Sequence, residues 1–349
     1  MRIFLFAPYW YRYEQSIANA LLVQGHTVRL LPYVHIRSFR EWLGRSTIYR
    51  HRQAQSALYY YGDQDERCNE EFVRYAVDYA PDLLLIVKGE VIKPQYLSLL
   101  KHTLRDTLFV NWIMDSPFRY KNISASAHLY DFFFSFEPTD VERLKGLNIR
   151  AFFLPLAFDP RFYRKATILA GERQRYECDI SFVGARYPER EKVFQQLCEF
   201  DVKIWGPGWG PKPWDLDFYK LLFRGLPKRM LDEVWGMEVA KIYNASRICL
   251  NIHHPQSRQG LNMRTFEILG AGGFQIVDYK SALEDLFDVG EELVCYRSIE
   301  ELKDLLRYYL KRPAERERIV ERGHIRAWRE HTFEARMQSM LSRIEKERL

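Results

Sequence analysis

The segment from Gly260 to Gly273, GLNMRTFEILGAGG, has the clearest chemical potential, and its pattern predicts a loop followed by a helix. The first amides of a helix have no partner within it and carry partial positive charge, so residues 262–265 are predicted to bind a diphosphate through their amides. Glu267 follows one turn later, and a carboxylate among apolar residues needs partners. Two explanations stand: Glu267 accepts both hydroxyls of a ribose, or it pairs with Arg264 at i, i+3 spacing.

These residues must be positioned by strands and helices, and the chain alternates short apolar runs with segments of helical period. That alternation is typical of parallel sheets covered by helices on both faces. The strands predicted for the first half are Arg2–Ala7, Thr27–Leu31, Leu83–Val87, Leu108–Met114, Phe132–Phe136 and Ala151–Leu154. Those predicted for the second half are Asp179–Val183, Val202–Trp205, Ile248–Ile252, Phe274–Val277 and Leu293–Tyr296.

Three predicted helices have recognisable ends or faces. Residues 14–24 should place Ile17, Leu21 and Leu22 on one face and stop at Gly25. A second helix should begin at a capping box of Thr139 and Glu142 and close at Gly146. The last helix, residues 332–347, has an apolar stripe made of Phe333, Met337, Met340, Leu341 and Ile344.

The chain has 349 residues, which suggests two domains at roughly 150 residues each. Two prolines and a charged tract interrupt the alternation after residues 154–164, so we place the junction there. The predicted organisation is an α/β first domain over 1–158, an α/β second domain over 159–330, and a C-terminal helix over 331–349.

Ligands of open parallel sheets bind at the carboxyl ends of the strands, so the residues that follow each strand are the candidates. In the first domain these are Tyr9, Trp10, Glu90, Asp115 and Glu137. Asp115 is the preferred candidate for a general base, or for a group that orients a hydroxyl, because the turn after it would hold a carboxylate at the sheet edge. The alternative is that Asp115 only forms an Asx-turn.

In the second domain the loops after the strands begin with Gly184, Gly206 and His253. Arg186 follows the first of them, and it is either a phosphate ligand or a surface arginine. Trp205 and Trp209 flank a GPG turn whose glycines could let the backbone approach a flat base, on which either tryptophan could stack. The alternative is a rigid turn packed on the core. His253 and His254 are discounted as a metal pair; one could donate to a phosphate or sugar, and a satisfied structural histidine is the alternative.

Charge and composition exclude several protein classes. The formal net charge is only +6 and is spread over both halves, so no nucleic-acid partner is predicted. The one local excess is six arginines between Arg29 and Arg52 against the single acid Glu41. This segment could meet phosphate or anionic lipid, but a solvated helix face is the favoured interpretation. No transmembrane segment, signal peptide or zinc spacing is visible, and five scattered cysteines indicate a reduced, cytoplasmic protein without a metal site.

Several segments resemble the CgeB-type branch of the glycosyltransferases that have two Rossmann-like domains. They are YWYRYEQSIANAL, VNWIMDSP, DISFVGARYPERE, VKIWGPGW, ASRICLNIHH, GLNMRTFEILGAGGFQIVDY, ELVCYRSIEELKDLLRYYL and HTFEARM, and they span nearly the whole chain. The resemblance implies a GT-B fold, with the two doubly wound domains facing across a cleft. It further implies a nucleotide-sugar donor on the second domain, an acceptor on the first, a final helix that packs back across the junction, and no metal ion.

The resemblance also carries site residues. Glu267 falls where related retaining transferases have a ribose-binding glutamate. Gly260, Asn262, Met263, Arg264 and Thr265 fall on the loop and helix start that meet the sugar and phosphates, and Arg186 falls on a phosphate-binding arginine. Gln259 stands where those relatives have a second glutamate. The residues that bind the sugar and the stereochemical outcome of the transfer therefore stay open.

The function predicted from the sequence is transfer of a sugar from a nucleoside diphosphate to an acceptor hydroxyl. The donor would be linked to UDP, dTDP or GDP, without a cofactor, and the acceptor could be a glycan, a lipid-linked molecule or a protein, with peripheral membrane contact possible in principle. Two alternatives stay open: a nucleotide-sugar epimerase on the same fold, and a protein that binds nucleotide or carbohydrate without turnover.

Overall fold

The computed structural model describes residues 1–9, 11–36, 58–61, 66–209, 229–231 and 234–348. The chain divides into two compact units. The first comprises Met1–Pro155 with Phe333–Leu349, and the second comprises Leu156–Thr332. The basic segment between residues 37 and 57 and the predicted site residue Trp10 lie outside the described residues.

The first unit is built on a parallel sheet of seven strands in the order β3-β2-β1-β4-β5-β6-β7. The strands are β1 Arg2–Pro8, β2 Thr27–Ile36, β3 Leu58–Tyr61, β4 Leu83–Val87, β5 Leu108–Ile113, β6 Phe132–Ser135 and β7 Ala151–Phe153. The helices are α1 Tyr13–Val23, α2 Glu66–Tyr79, α3 Pro94–Thr103, α4 Lys121–Ser126, α5 Pro138–Lys145 and the C-terminal α13 Phe333–Arg348, with 3-10 turns at Pro117–Arg119 and Ala127–Leu129. The strand order reverses between β1 and β4, where ligands of such sheets bind.

The second unit repeats this topology with a parallel sheet of six strands in the order β10-β9-β8-β11-β12-β13. Its strands are β8 Cys178–Val183, β9 Val202–Trp205, β10 Arg229–Leu231, β11 Ser246–Asn251, β12 Gln275–Asp278 and β13 Val294–Tyr296. The helices are α6 Arg173–Tyr176, α7 Pro188–Gln195, α8 Met237–Ala245, α9 Met263–Ala271, α10 Ala282–Leu286, α11 Ile299–Leu310 and α12 Pro313–Glu330, with a 3-10 turn at Ala170–Glu172. Here the order reverses between β8 and β11.

The two cores are formed by strands that are buried on both faces. Every side chain of β4, LLLIV, is buried, which explains why this strand shows a continuous apolar run rather than alternation. In α13 the predicted stripe is buried, and the ring of Phe333 lies 6.2 Å from that of Trp112. None of the helices in the described ranges combines the length and the apolar character needed to cross a bilayer.

Two short strands, β3 and β10, were not predicted, and β2 continues past its predicted end at Leu31. Both missed strands lie at an outer edge of their sheet. β3 pairs with β2 over residues 33–36, just after Pro32, a residue that normally interrupts a strand. A strand that exists through pairing at an edge leaves no periodicity of its own in the sequence.

Two details of helix boundaries differ from the predictions. Leu22 is 50% exposed, so α1 buries Ile17 and Leu21 without it. The N-cap of α5 is Glu137 rather than Thr139: its Oε1 accepts hydrogen bonds from the Thr139 amide at 3.4 Å and from the Thr139 hydroxyl at 2.9 Å. Pro138 is therefore the first helical residue, a position that proline favours.

The first unit ends before the boundary predicted at residue 158, because Phe158 packs within the second unit. Its amide donates to the His331 carbonyl at 3.1 Å, and its ring lies 6.2 Å from that of Trp328. A Cβ on Gly270 would lie 2.3 Å from the same ring, so helix α9 packs closely on this phenylalanine.

Candidate functional site

The loops after β8 and β9 approach each other at the edge of the second sheet. The Gly184 amide donates to the Trp205 carbonyl at 2.8 Å. Gly206 has φ +135°, and a Cβ there would lie 2.4 Å from the Gly184 carbonyl oxygen. Only glycine fits this position, so Gly206 brings the two loops into contact.

The two tryptophans beside this turn face the core. Trp205 and Trp209 are both 0% exposed, and the Trp209 indole donates to the Gly184 carbonyl at 2.7 Å. The prediction that Trp205 could stack on a base therefore does not agree with the structure. Trp209 packs edge-on against Phe182 and Phe194, so the rigid-turn alternative describes this segment.

Arg186 lies at the same edge and already has protein partners. Its amide donates to the Pro207 carbonyl at 3.0 Å, and its guanidinium forms an ion pair with Glu191. An anionic ligand would compete with the Glu191 carboxylate for this arginine. A phosphate-binding role for Arg186 stays a prediction.

The start of α9 is anchored to the end of β11 by side-chain amides. Asn262 is the N-cap, and its side chain exchanges hydrogen bonds with that of Asn251 at 3.1 and 2.9 Å. Its Oδ1 also accepts from the Thr265 amide at 3.1 Å. The Thr265 amide is therefore not open to a diphosphate as predicted, and Thr265 itself is fully buried against Gln275. Met263 is the first residue of α9 and directly follows Asn262.

Glu267 lies inside the second unit among tyrosines. It is 2% exposed and lies near the Tyr163 phenol, while the Arg264 Nε donates to the Val183 carbonyl at the end of β8. Burial, and next the charge of Glu267, raise the pKa of Tyr163 well above its usual range. The Tyr243 hydroxyl has no hydrogen-bond partner among the described residues, and burial raises the pKa of this phenol as well.

The loop from His253 to Gly260 leads from β11 to this helix. Its Gln259 carbonyl accepts from the Ala282 amide at 3.2 Å, and Gly260 is buried. His253 Nδ1 lies 2.7 Å from Asp278 Oδ1 at the end of the neighbouring strand β12. Burial would raise the pKa of Asp278, but His253 lowers it below its usual value. Asp278 is thus an anion held against the imidazole.

The edge of the first sheet carries a buried ion-pair network. Lys88 Nζ lies 3.3 Å from Glu90 Oε1 and 3.3 Å from Asp115 Oδ2, and the Tyr120 hydroxyl donates to the same Asp115 oxygen at 2.9 Å. Burial would lower the pKa of Lys88, but Glu90 and Asp115 raise it above its usual value. The network therefore holds a buried ammonium between two carboxylates.

The backbone beneath this network is held in an unusual conformation. Lys88 has φ +63°, which is uncommon for a residue with a side chain, and Gly89 follows with φ +81°. The Gly89 amide donates to the Tyr33 hydroxyl at 3.0 Å, and that hydroxyl donates to Glu90 Oε2 at 2.6 Å. Strained backbone that is fixed by such bonds is concentrated at functional sites.

Glu137 and Tyr9 are the other described candidate residues of the first unit, and they lie outside the Lys88 network. The Glu137 carboxylate caps α5, as described above, so the structure gives it a structural role in place of the predicted acceptor contact. The Tyr9 amide donates to the Tyr33 carbonyl at 2.7 Å, which places Tyr9 directly after β1 at the sheet edge. The structure thus brings Glu90 and Asp115 together around Lys88.

Residues 171–342 match the family model described as glycosyl transferase-like. Solved structures with a similar fold include sucrose-phosphate synthase from Thermosynechococcus elongatus, with 12% identity over 99% of this chain and 98% of that chain and a TM-score of 0.66. Anabaena HepE in complex with UDP has 11% identity over 99% and 100% of the chains and a TM-score of 0.70. A glycosyltransferase from Rickettsia africae has 11% identity over 99% and 98%, with a TM-score of 0.65.

At such low identities the likeness shows the fold alone. Together with the two parallel sheets, it shows that the chain has the GT-B fold of two α/β domains. No curated protein sequence matches the chain. The candidate residues of the glycosyltransferase-like segment therefore rest on the geometry given above.

Sequence reasoning placed Lys88 beside Glu90 after a strand without giving it a role, and it missed Tyr33, Tyr120, Arg190 and Asp278. Asp278 borders a predicted strand, so a rule that considers every polar residue at a strand end would have found it. Tyr33 and Tyr120 reach the first site from a neighbouring strand and a following turn, which sequence order does not reveal. Among the described residues, no group of three acidic, histidine or cysteine side chains could hold a metal ion.

The Lys88 network leads to a stability prediction. Lys88→Met should lower the free energy of unfolding by about 3–5 kcal/mol at neutral pH, because the carboxylates of Glu90 and Asp115 lose their buried counter-charge. In the wild type, the stability from Lys88 should be complete below about pH 10.4, its unfolded pKa, and should be lost as the pH rises through its higher folded pKa.

Urea unfolding of both proteins across pH measures this effect. Lys145→Met is the matched control, because Lys145 forms an ion pair with Glu142 while its side chain is 52% exposed. This control should change the free energy of unfolding by less than about 1 kcal/mol. Equal effects of the two substitutions would contradict the importance of the buried network.

Proposed function

We propose that the protein transfers a sugar from a nucleoside-diphosphate sugar to an acceptor hydroxyl. The observation that carries this proposal is Glu267, a buried carboxylate one turn inside a helix whose start is fixed beside the strand-order reversal of the second domain. That position combines a helix N-terminus for phosphates with a carboxylate for the hydroxyls of a ribose. The family of residues 171–342 supports the reaction class.

The donor is proposed to bind at the edge formed by β8, β11 and the start of α9. HepE, which shares the fold, has been crystallised with UDP and with UDP-glucose, which makes a uridine-linked sugar the first donor to test. The Met263 end of α9 and the cations Arg186 and Arg264 would neutralise the diphosphate. With this positive charge, transfer is proposed to need no metal ion, in line with the CgeB-type resemblance.

The acceptor is proposed to bind to the first domain at the Lys88 network. Carboxylates accept hydrogen bonds from hydroxyl groups, and Glu90 and Asp115 lie together there. Because Lys88 and Tyr120 both engage Oδ2 of Asp115, we assign that side chain to orienting the acceptor hydroxyl rather than to removing its proton. The acceptor could then be any molecule with a suitable hydroxyl.

A thermal-shift panel of UDP, GDP, dTDP, CDP, ADP and NAD tests the donor site. A ligand at about a hundred times its Kd stabilises the native state by about 2.7 kcal/mol, which raises the unfolding temperature by several degrees. We expect a shift with one nucleoside diphosphate. A protein that responds to none of them, or to NAD alone, would contradict the proposed function.

An assay of turnover distinguishes the proposed transferase from an epimerase and from a binding protein. Incubation of the nucleotide sugar with candidate acceptors should release the nucleoside diphosphate and a glycosylated product. Conversion of the donor into an isomeric sugar without any acceptor would instead identify an epimerase. Tight binding without chemical change on any acceptor would identify a binding protein.

A further inference from the structure

His253 follows β11 and is held by a single carboxylate. Its Nδ1 lies 2.7 Å from Asp278 Oδ1, and its backbone amide donates to the same oxygen at 2.8 Å. The imidazole is 0% exposed, yet no described residue forms a hydrogen bond with Nε2. The ring is therefore oriented by two bonds and has one buried nitrogen without a protein partner.

This arrangement determines what Nε2 can bind. The Asp278 carboxylate at Nδ1 places a proton on that nitrogen; Nε2 then accepts in the neutral ring and donates in the imidazolium. A buried N–H without an acceptor is costly, and an anion at Nε2 would remove that cost. The Asp278 carboxylate, the His253 imidazolium and the bound anion would then lie in a row.

The neighbouring charges favour an anion rather than a second cation ligand. Lys280 Nζ lies 3.5 Å from the other oxygen of Asp278, so this carboxylate is shared between the imidazole and an ammonium. Arg190 donates to the Ile252 carbonyl at 3.2 and 2.7 Å, directly before His253. Burial, and next the charge of Arg264, lower the pKa of Arg190 to about 10, which indicates that positive groups are crowded at this edge.

The diphosphate expected at this edge is the anion that fits. Asn251, two residues before His253, anchors the start of α9 through Asn262, so the loop and the helix N-terminus start from the same strand end. A diphosphate at that N-terminus would bring an anionic oxygen to the edge that His253 borders.

We propose that protonated His253 donates its Nε2–H to the diphosphate of the donor, with Asp278 as the residue that positions the ring. This inference rests on the proposed function and adds a leaving-group contact to it. When the bond between the anomeric carbon and the β-phosphate oxygen breaks, its electron pair stays on that oxygen. The anomeric carbon bonds to the acceptor oxygen, and the proton of that hydroxyl passes to the released diphosphate or to water. The imidazolium stabilises the negative charge on the diphosphate and keeps its own proton.

Isothermal titration of the full chain with UDP and with uridine tests the contact. His253→Gln should weaken UDP binding by at least about tenfold and leave uridine binding unchanged, because only the diphosphate loses a charged partner. His254→Gln is the matched control: this ring packs edge-on against Tyr187, 4.5 Å away, and its replacement should change neither affinity. Asp278→Asn should weaken UDP alone, by less than His253→Gln does.

Each other outcome has a definite meaning. Unchanged UDP affinity in His253→Gln would overturn the inference and leave the proposed function standing. Equal losses for UDP and uridine would show that His253 is structural, and would also overturn it. If the wild type binds none of the nucleoside diphosphates of the panel, the proposed function fails and the inference fails with it.

Discussion

Replacing Glu267 with glutamine should weaken UDP binding about a hundredfold. In the proposed complex the two ribose hydroxyls each donate to the Glu267 carboxylate, and losing that charge costs about 1.5 kcal/mol per bond, or about 3 kcal/mol in total. The measurement is titration with UDP and with 2′-deoxy-UDP. The wild type should prefer UDP strongly, whereas Glu267→Gln should bind both with the same low affinity.

Tyr163→Phe is the matched control for this substitution. It removes a hydroxyl near Glu267 while the carboxylate stays. Because the carboxylate proposed to bind the ribose is kept, we expect Tyr163→Phe to bind UDP at least as tightly as the wild type. A wild type that does not distinguish UDP from 2′-deoxy-UDP would contradict the ribose role of Glu267.

Replacing Gly206 with alanine should cause a large loss of stability. The residue has φ +135°, a conformation almost restricted to glycine, and the new Cβ would lie 2.4 Å from the Gly184 carbonyl oxygen. Strain and collision together should cost more than about 3 kcal/mol, which corresponds to a fall of about 6–12 °C in the Tm of a domain of this size. Thermal unfolding measures the effect, and displacement of the Gly184 loop should also weaken UDP binding.

Gly208→Ala separates backbone strain from the collision. This glycine lies in the same turn with φ +86°, and the nearest atom to an added Cβ is the Arg186 Cβ at 3.3 Å. Its replacement should cost only about 1 kcal/mol. Similar losses for the two substitutions would show that the contact between Gly206 and Gly184 does not matter for stability.

The predictions from sequence were most accurate where a local pattern determines local structure. Residues 263–271 form the helix expected from the Gly260–Gly273 segment, with Asn262 as its cap and Gly272 in the left-handed conformation after it. The central strands agree because a buried parallel strand needs an unbroken apolar run. The edge strands were missed because their pairing, and not their own composition, makes them strands.

The local sequence pattern could not predict the directions in which side chains point. Trp205 and Glu90 both lie at strand ends. Trp205 is buried in the core, whereas Glu90 belongs to an ion-pair network. The difference arises from which face each residue occupies and from which neighbours reach it. Glu137 likewise ends a strand, but the helix that follows uses its carboxylate as a cap.

The sequence by itself determined the fold class, most strands and helices, and the sheet edges where a ligand would bind. It could do so because hydrophobic periodicity and turn residues are local, and parallel strands end together at one edge. Only the tertiary structure decided which polar side chains meet there. The contacts of Lys88 with Asp115, Tyr163 with Glu267, and His253 with Asp278 join residues from separate segments, so their distances depend on how strands and helices pack and not on their spacing in the chain.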